Sequence, residues 1–193
     1  TGTYDNRRRF YTTISPSMDI LVSSNLERLL YLLADMDDAY IKSLMNGLVT
    51  KGSYNVSQGV EEKIKDSFAA GYCDDGQTKE TIARTFKNRG YLCDTHTAVA
   101  VKVYEDYRHE TGDGTPAVIA STASPFKFSA SVLEALNPSA VGEDEFEMLK
   151  TLEELTGVNC PHQLKGLEEK KIRFDNCCAT GDMKNAVLEM LGI

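Results

Sequence analysis

The chain has 193 residues, 41% apolar and 26% charged, a balance that suits one globular domain or a large piece of one and excludes a disordered or fibrous chain. Twenty-nine acidic against 21 basic residues leave a net charge of −8, which argues against nucleic acid or an anionic membrane as the partner. The five cysteines (73, 93, 160, 177 and 178) suggest no disulfide framework, so a reducing cytoplasm is expected, and the spacing of Cys160, His162, Cys177 and Cys178 matches no structural zinc pattern.

In chain order, Arg7-Arg8-Arg9 reads as a solvated loop. The clearest helix is predicted over 24–34. Ser24 and Glu27 form a capping-box pattern, and Leu26, Leu29, Leu30 and Leu33 make one apolar stripe. Further helices are predicted over 37–49 (Ile41, Leu44, Met45, Leu48), over 58–68, and over 79–89 with Thr78 as cap and Gly90 as stop. Tyr91-Leu92-Cys93 reads as a short strand. Asp94 or Thr95 then caps a helix through Val99, Val103 and Tyr107. After a turn at 112–116, Ala117-Val118-Ile119-Ala120 is the best candidate for a buried strand. Three more helices follow, from Ser129 to Asn137-Pro138, through Met148, Leu152 and Leu155 to Gly157, and from Asp182 through Leu191. Helices alternating with a few strands suggest a helix-rich α/β layer, a partial three-layer domain covering 1–193 as a single unit. No signal peptide, lipidation motif or membrane-spanning run is legible. The abrupt start at Thr1-Gly2-Thr3 suggests a piece of a longer polypeptide.

Three polar segments sit where strands or turns meet helices, the usual place for ligands in open α/β sheets. The first runs from Thr13 to Asp19 and on to Arg28. Free N–H groups at a helix start suit an anion, and Asn25 and Arg28 share one flank, away from the leucine stripe. The second is Asp94-Thr95-His96-Thr97, where a histidine at a helix start either helps cap it or meets a ligand. The third is Ser121-Thr122-Ala123-Ser124, small hydroxyl residues after the strand candidate that let a flat ligand approach closely.

Together these segments resemble threonine synthases. Ser15-Pro16-Ser17-Met18-Asp19-Ile20 with Ser24-Asn25-Leu26-Glu27-Arg28 is similar to that family's "SP-x-MDI … SN-x-ER". Asp94-Thr95-His96-Thr97-Ala98-Val99 is similar to its "DPHTAV", and Ser121 to Phe128 to its "STAHPAKF". Phe174-Asp175 and the last helix look like the family's C-terminal end. The resemblance implies the C-terminal part of a fold type II enzyme dependent on pyridoxal phosphate, which turns O-phosphohomoserine and water into threonine and phosphate. It further implies that Ser23, Asn25 and Arg28 hold the substrate phosphate, that Thr122 faces the pyridine nitrogen of the cofactor, and that His96 and Thr97 line the pocket. No catalytic step and no metal is assigned to these residues.

Two departures alter the motifs: Thr95 stands where the family has proline, and Ser124-Pro125-Phe126 replaces "HPA". No lysine here lies in a motif matching the family's Schiff-base lysine, which belongs to its N-terminal half. The isolated chain is therefore expected to be inactive, and to self-associate through surface the missing half would cover. The alternatives are a non-catalytic helical binding module, or a portion of a related fold type II lyase.

Overall fold

Eight α-helices and two short strands form within residues 1–173 and 175–193, the part of the chain that the computed structural model describes. Phe174, one half of the expected C-terminal signature, lies outside the described residues. The chain divides into two compact units, Thr1–Val158 and Asn159–Ile193.

The first unit opens with β1 (Thr3–Asp5), which pairs antiparallel with β2 (Ser53–Asn55) so that Tyr4 faces Tyr54. Their rings stack 5.4 Å apart. Neither strand is expected from the sequence, because three residues are too few to show an alternation. On this ribbon pack α1 (Ser24–Leu33), α2 (Asp38–Lys51) and α3 (Gln58–Ser67). Their predicted stripes become the core: Leu30, Ile41, Leu44, Leu48 and Val60 are buried with Tyr54. The Asp37 carboxylate caps α2 by accepting from the Tyr40 amide, and Gly52 ends it at φ 76°, a left-handed position that suits glycine.

Beyond α3 come α4 (Asp75–Arg89), α5 (Thr95–Thr111), α6 (Ser129–Leu136) and α7 (Glu145–Thr156). Helix α4 packs against α5 and α6, and α6 against α7. Ile82, Ala98, Val132, Leu133 and Leu152 are buried on these faces. A Lys79–Glu134 ion pair of 2.7 Å ties α4 to α6.

Four expectations are corrected. Helix α1 begins at Ser24 itself, with Ser23 in the capping position and no side-chain cap bond. The expected Ser24–Glu27 box does not form, because the Ser23 amide already donates to the Tyr4 hydroxyl at 2.9 Å, and the residue three positions on is Leu26. Helix α4 starts four residues early. Asp74 and Gln77 make a reciprocal box there, and Thr78 is buried inside the helix, donating to the Asp74 carbonyl. Residues 91–93 are coil, although Leu92 and Cys93 are buried. Residues 117–120 are coil as well, and Val118 is 99% exposed. Among the described residues no strand runs beside them to supply a ladder.

The second unit is turns from Pro161 to Lys170, a 3-10 turn at Thr180–Asp182 and α8 (Met183–Leu191). Asp182 stands before α8 as expected but makes no side-chain cap bond. Among the described residues, no helix is long and apolar enough to cross a membrane and no group of three or more candidate ligands could hold a metal.

Candidate functional site

The first turn of α5 is built around Asp94, which is 0% exposed. One carboxylate oxygen, Oδ1, accepts from the amides of His96 at 2.9 Å and Thr97 at 3.3 Å; the other, Oδ2, accepts the Thr97 hydroxyl. The expectation that Asp94 or Thr95 caps this helix resolves to Asp94, leaving Thr95 as the first helical residue. The Thr95 hydroxyl is buried and has no partner, and the same holds for Nδ1 of His96. The His96 ring meets Phe128 edge to face at 4.9 Å.

Thr95 carries a stability prediction. A first helical position needs no amide partner and favours proline, and Asp94 (ψ 171°) already has the extended backbone that a following proline demands. Thr95→Pro should stabilise the chain by about 1–2 kcal/mol, by stiffening the unfolded chain and removing a buried orphan hydroxyl. Thermal unfolding beside Thr95→Val separates the two contributions. A lower midpoint for both variants would show the hydroxyl to be satisfied.

Next to Asp94, burial pushes the Cys93 thiol up to about 11, helped by the Asp94 charge. Cys177 and Cys178 are exposed. A disulfide reagent at pH 8 should therefore modify Cys177 and Cys178 rapidly and reach Cys93 only on unfolding, as mass spectrometry of labelled peptides would show.

At the start of α1, Asn25 and Arg28 are exposed, and Nη2 of Arg28 donates to Oδ1 of Asn25. Ser23 is half-buried beside them with its hydroxyl unused for capping. The preceding segment is rigidly tied. Thr13 donates its amide and hydroxyl to Asp19 at 2.7 and 2.8 Å, and the Ile14 amide donates to Asp75 of α4 at 3.1 Å. Ser15 is buried there with its hydroxyl unpartnered. The arginine run is divided. Arg7 pairs bidentately with Asp5, Arg8 donates to the Ile20 carbonyl at 3.1 Å, and Arg9 lies over Tyr11.

The third segment leans on α5. Thr97, Val101 and Tyr104 on the helix, and Ala117, Ile119 and Ser121 opposite them, line a cavity of about 660 Å³. Alternate residues of 117–121 face it, as in a strand. The hydroxyls of Thr97 and Ser121 are 3.2 Å apart. Thr122 follows, exposed. Thus Thr97 reaches the Ser121–Thr122 segment directly, while Ser23, Asn25 and Arg28 form a second group. No hydrogen bond among the described residues joins the two groups. The sequence reading missed the buried Asp94 carboxylate as the hub; a fully capped helix start inside a polar motif was the available signal.

This is the helix-rich α/β architecture of fold type II enzymes, shown by two solved structures. A threonine synthase from yeast superposes with a TM-score of 0.77 at 28% identity, over 99% of this chain and 38% of that one. The pyridoxal-phosphate-bound threonine synthase from Brucella melitensis superposes with a TM-score of 0.70 at 33% identity, over 90% of this chain and 33% of that one. Residues 97–187 match the family described as "Threonine synthase, C-terminal". Human "Threonine synthase-like 1" is 32% identical over 99% of this chain, which spans 26% of that relative's length. Over nearly its whole length the chain is similar to the C-terminal portion of threonine synthases.

Proposed function

We propose that this chain supplies the phosphate-holding helix and one wall of the cofactor site of a threonine synthase, within one larger domain. The reading is supported above all by the exposed Thr122 in the segment that carries the family motif, directly after Ser121, whose hydroxyl meets that of Thr97 at 3.2 Å. Pyridoxal phosphate suits this wall, where small side chains leave room for a flat ring and a neutral hydroxyl meets a ring nitrogen without donating charge. When bound, the cofactor supplies an electron sink for carbanion chemistry.

This chain's own residues bind and orient. Arg28, held by Asn25, presents its guanidinium at the amino end of α1, where free amides and the helix dipole also favour a phosphate. The unused Ser23 hydroxyl adds a donor. His96, wedged against Phe128, holds an unpartnered ring nitrogen as a pocket wall. The substrate is O-phosphohomoserine, the products threonine and phosphate, and the setting the cytoplasm. The isolated chain has no Schiff-base lysine motif and is inactive.

Two measurements test this. The 193-residue chain with added pyridoxal phosphate should show no Schiff-base absorbance and release no phosphate from O-phosphohomoserine; turnover would refute the reading. In a longer protein containing this chain, Arg28→Ala should weaken use of the phosphorylated substrate by about 10- to 100-fold, the worth of a charge-assisted pair. Undiminished kcat/KM would remove Arg28 from the phosphate site. Light scattering checks the expected self-association; a clean monomer at all concentrations counts against it.

A further inference from the structure

We propose that Asp94 is a positioning residue: through Thr97 it fixes Ser121, and with it the adjoining Thr122, in the place where the cofactor ring would meet a hydroxyl. The inference rests on the reading of Thr122 above and adds the device that holds it. Capping α5 uses Oδ1 of Asp94 alone, since that atom takes both amides. Oδ2 is spare, and it takes the Thr97 hydroxyl.

Proton counting sets the direction of the chain. Thr97 has one hydroxyl proton, and a carboxylate can only accept. That proton therefore goes to Asp94, and across the 3.2 Å contact Ser121 must donate to Thr97. The buried charge thus orients two hydroxyls in series and turns the Ser121 lone pairs outward. Residues 117–121 make no backbone hydrogen bond among the described residues, so this relay is the tie at their far end. At the near end, the Tyr104 hydroxyl reaches the Thr115 carbonyl at 3.4 Å.

The relay and a mere cap respond differently to conservative variants. Thr97→Val keeps both backbone cap bonds and the branched shape, but cuts the tie to Ser121. Thr97→Ser keeps the tie. Asp94→Asn keeps an accepting cap oxygen, while its amide nitrogen donates to Thr97 and reverses the relay without breaking it. Backbone order parameters from 15N relaxation of the 193-residue chain read this out without any cofactor. Ser121 and Thr122 should be ordered, near 0.85, in the parent chain, Thr97→Ser and Asp94→Asn, and fall below about 0.6 in Thr97→Val, with residues 98–111 unchanged. Equal mobility of Ser121 and Thr122 in the parent and Thr97→Val would overturn the proposal, as would loosening of the whole of α5 in Thr97→Val. The cofactor assignment fails separately: in a longer protein that binds pyridoxal phosphate, an absorbance spectrum untouched by Thr122→Val overturns the role of Thr122, and with it the last step of the proposal.

Discussion

Replacing Asp94 by alanine should cost about 3 kcal/mol of folding stability, since a lost cap is worth about 1 and buried donors left without an acceptor about 1–3 more. The carboxylate is wholly enclosed, so water cannot replace it at the amides of His96 and Thr97 or at the Thr97 hydroxyl. Asp94→Asn should cost about 1 kcal/mol, because an amide oxygen caps nearly as well. Urea unfolding of the parent and both variants, followed by circular dichroism, measures this. Equal losses for alanine and asparagine would mean that the charge, rather than the accepting geometry, supports the turn.

Ile82→Ala should cost about 3 kcal/mol, whereas Val118→Ala should lie within about 0.5 kcal/mol of the parent. Ile82 is 0% exposed on α4, the helix that packs against both α5 and α6, so truncation leaves a cavity that neither neighbour can fill without moving. Val118 is 99% exposed and buries nothing. The sequence ranks Val118 with the core, as part of the most compact apolar run, so the pair separates the two readings. The same unfolding experiment decides between them: a loss above about 1.5 kcal/mol for Val118→Ala would place that run against other apolar surface.

Helices were legible where a 3.6-residue stripe coincided with a cap and a stop. The stripes of α1 and α2 became the buried faces at Leu30, Ile41, Leu44 and Leu48, and Gly52, Gly90 and Gly157 end their helices in left-handed conformations. The start of α4 was misplaced because Thr78 resembles a cap, while the stronger Asp74–Gln77 box lay four residues upstream. The candidate site was legible as motifs, and the likeness to the threonine synthases bears out the family those motifs indicated. Its wiring was not, since the Thr97–Ser121 contact joins residues 24 positions apart.

By itself the sequence determined what depends on neighbours within a turn or two: helix periods, glycine stops and the motifs that mark the family. The tertiary structure decided which apolar runs are covered, which carboxylate is enclosed and which hydroxyls meet. A run such as 117–120 becomes a strand only when another backbone lies beside it, and a carboxylate such as Asp94 loses water only when distant segments close over it. Both conditions are set by chain segments far apart in sequence, which local pattern does not encode.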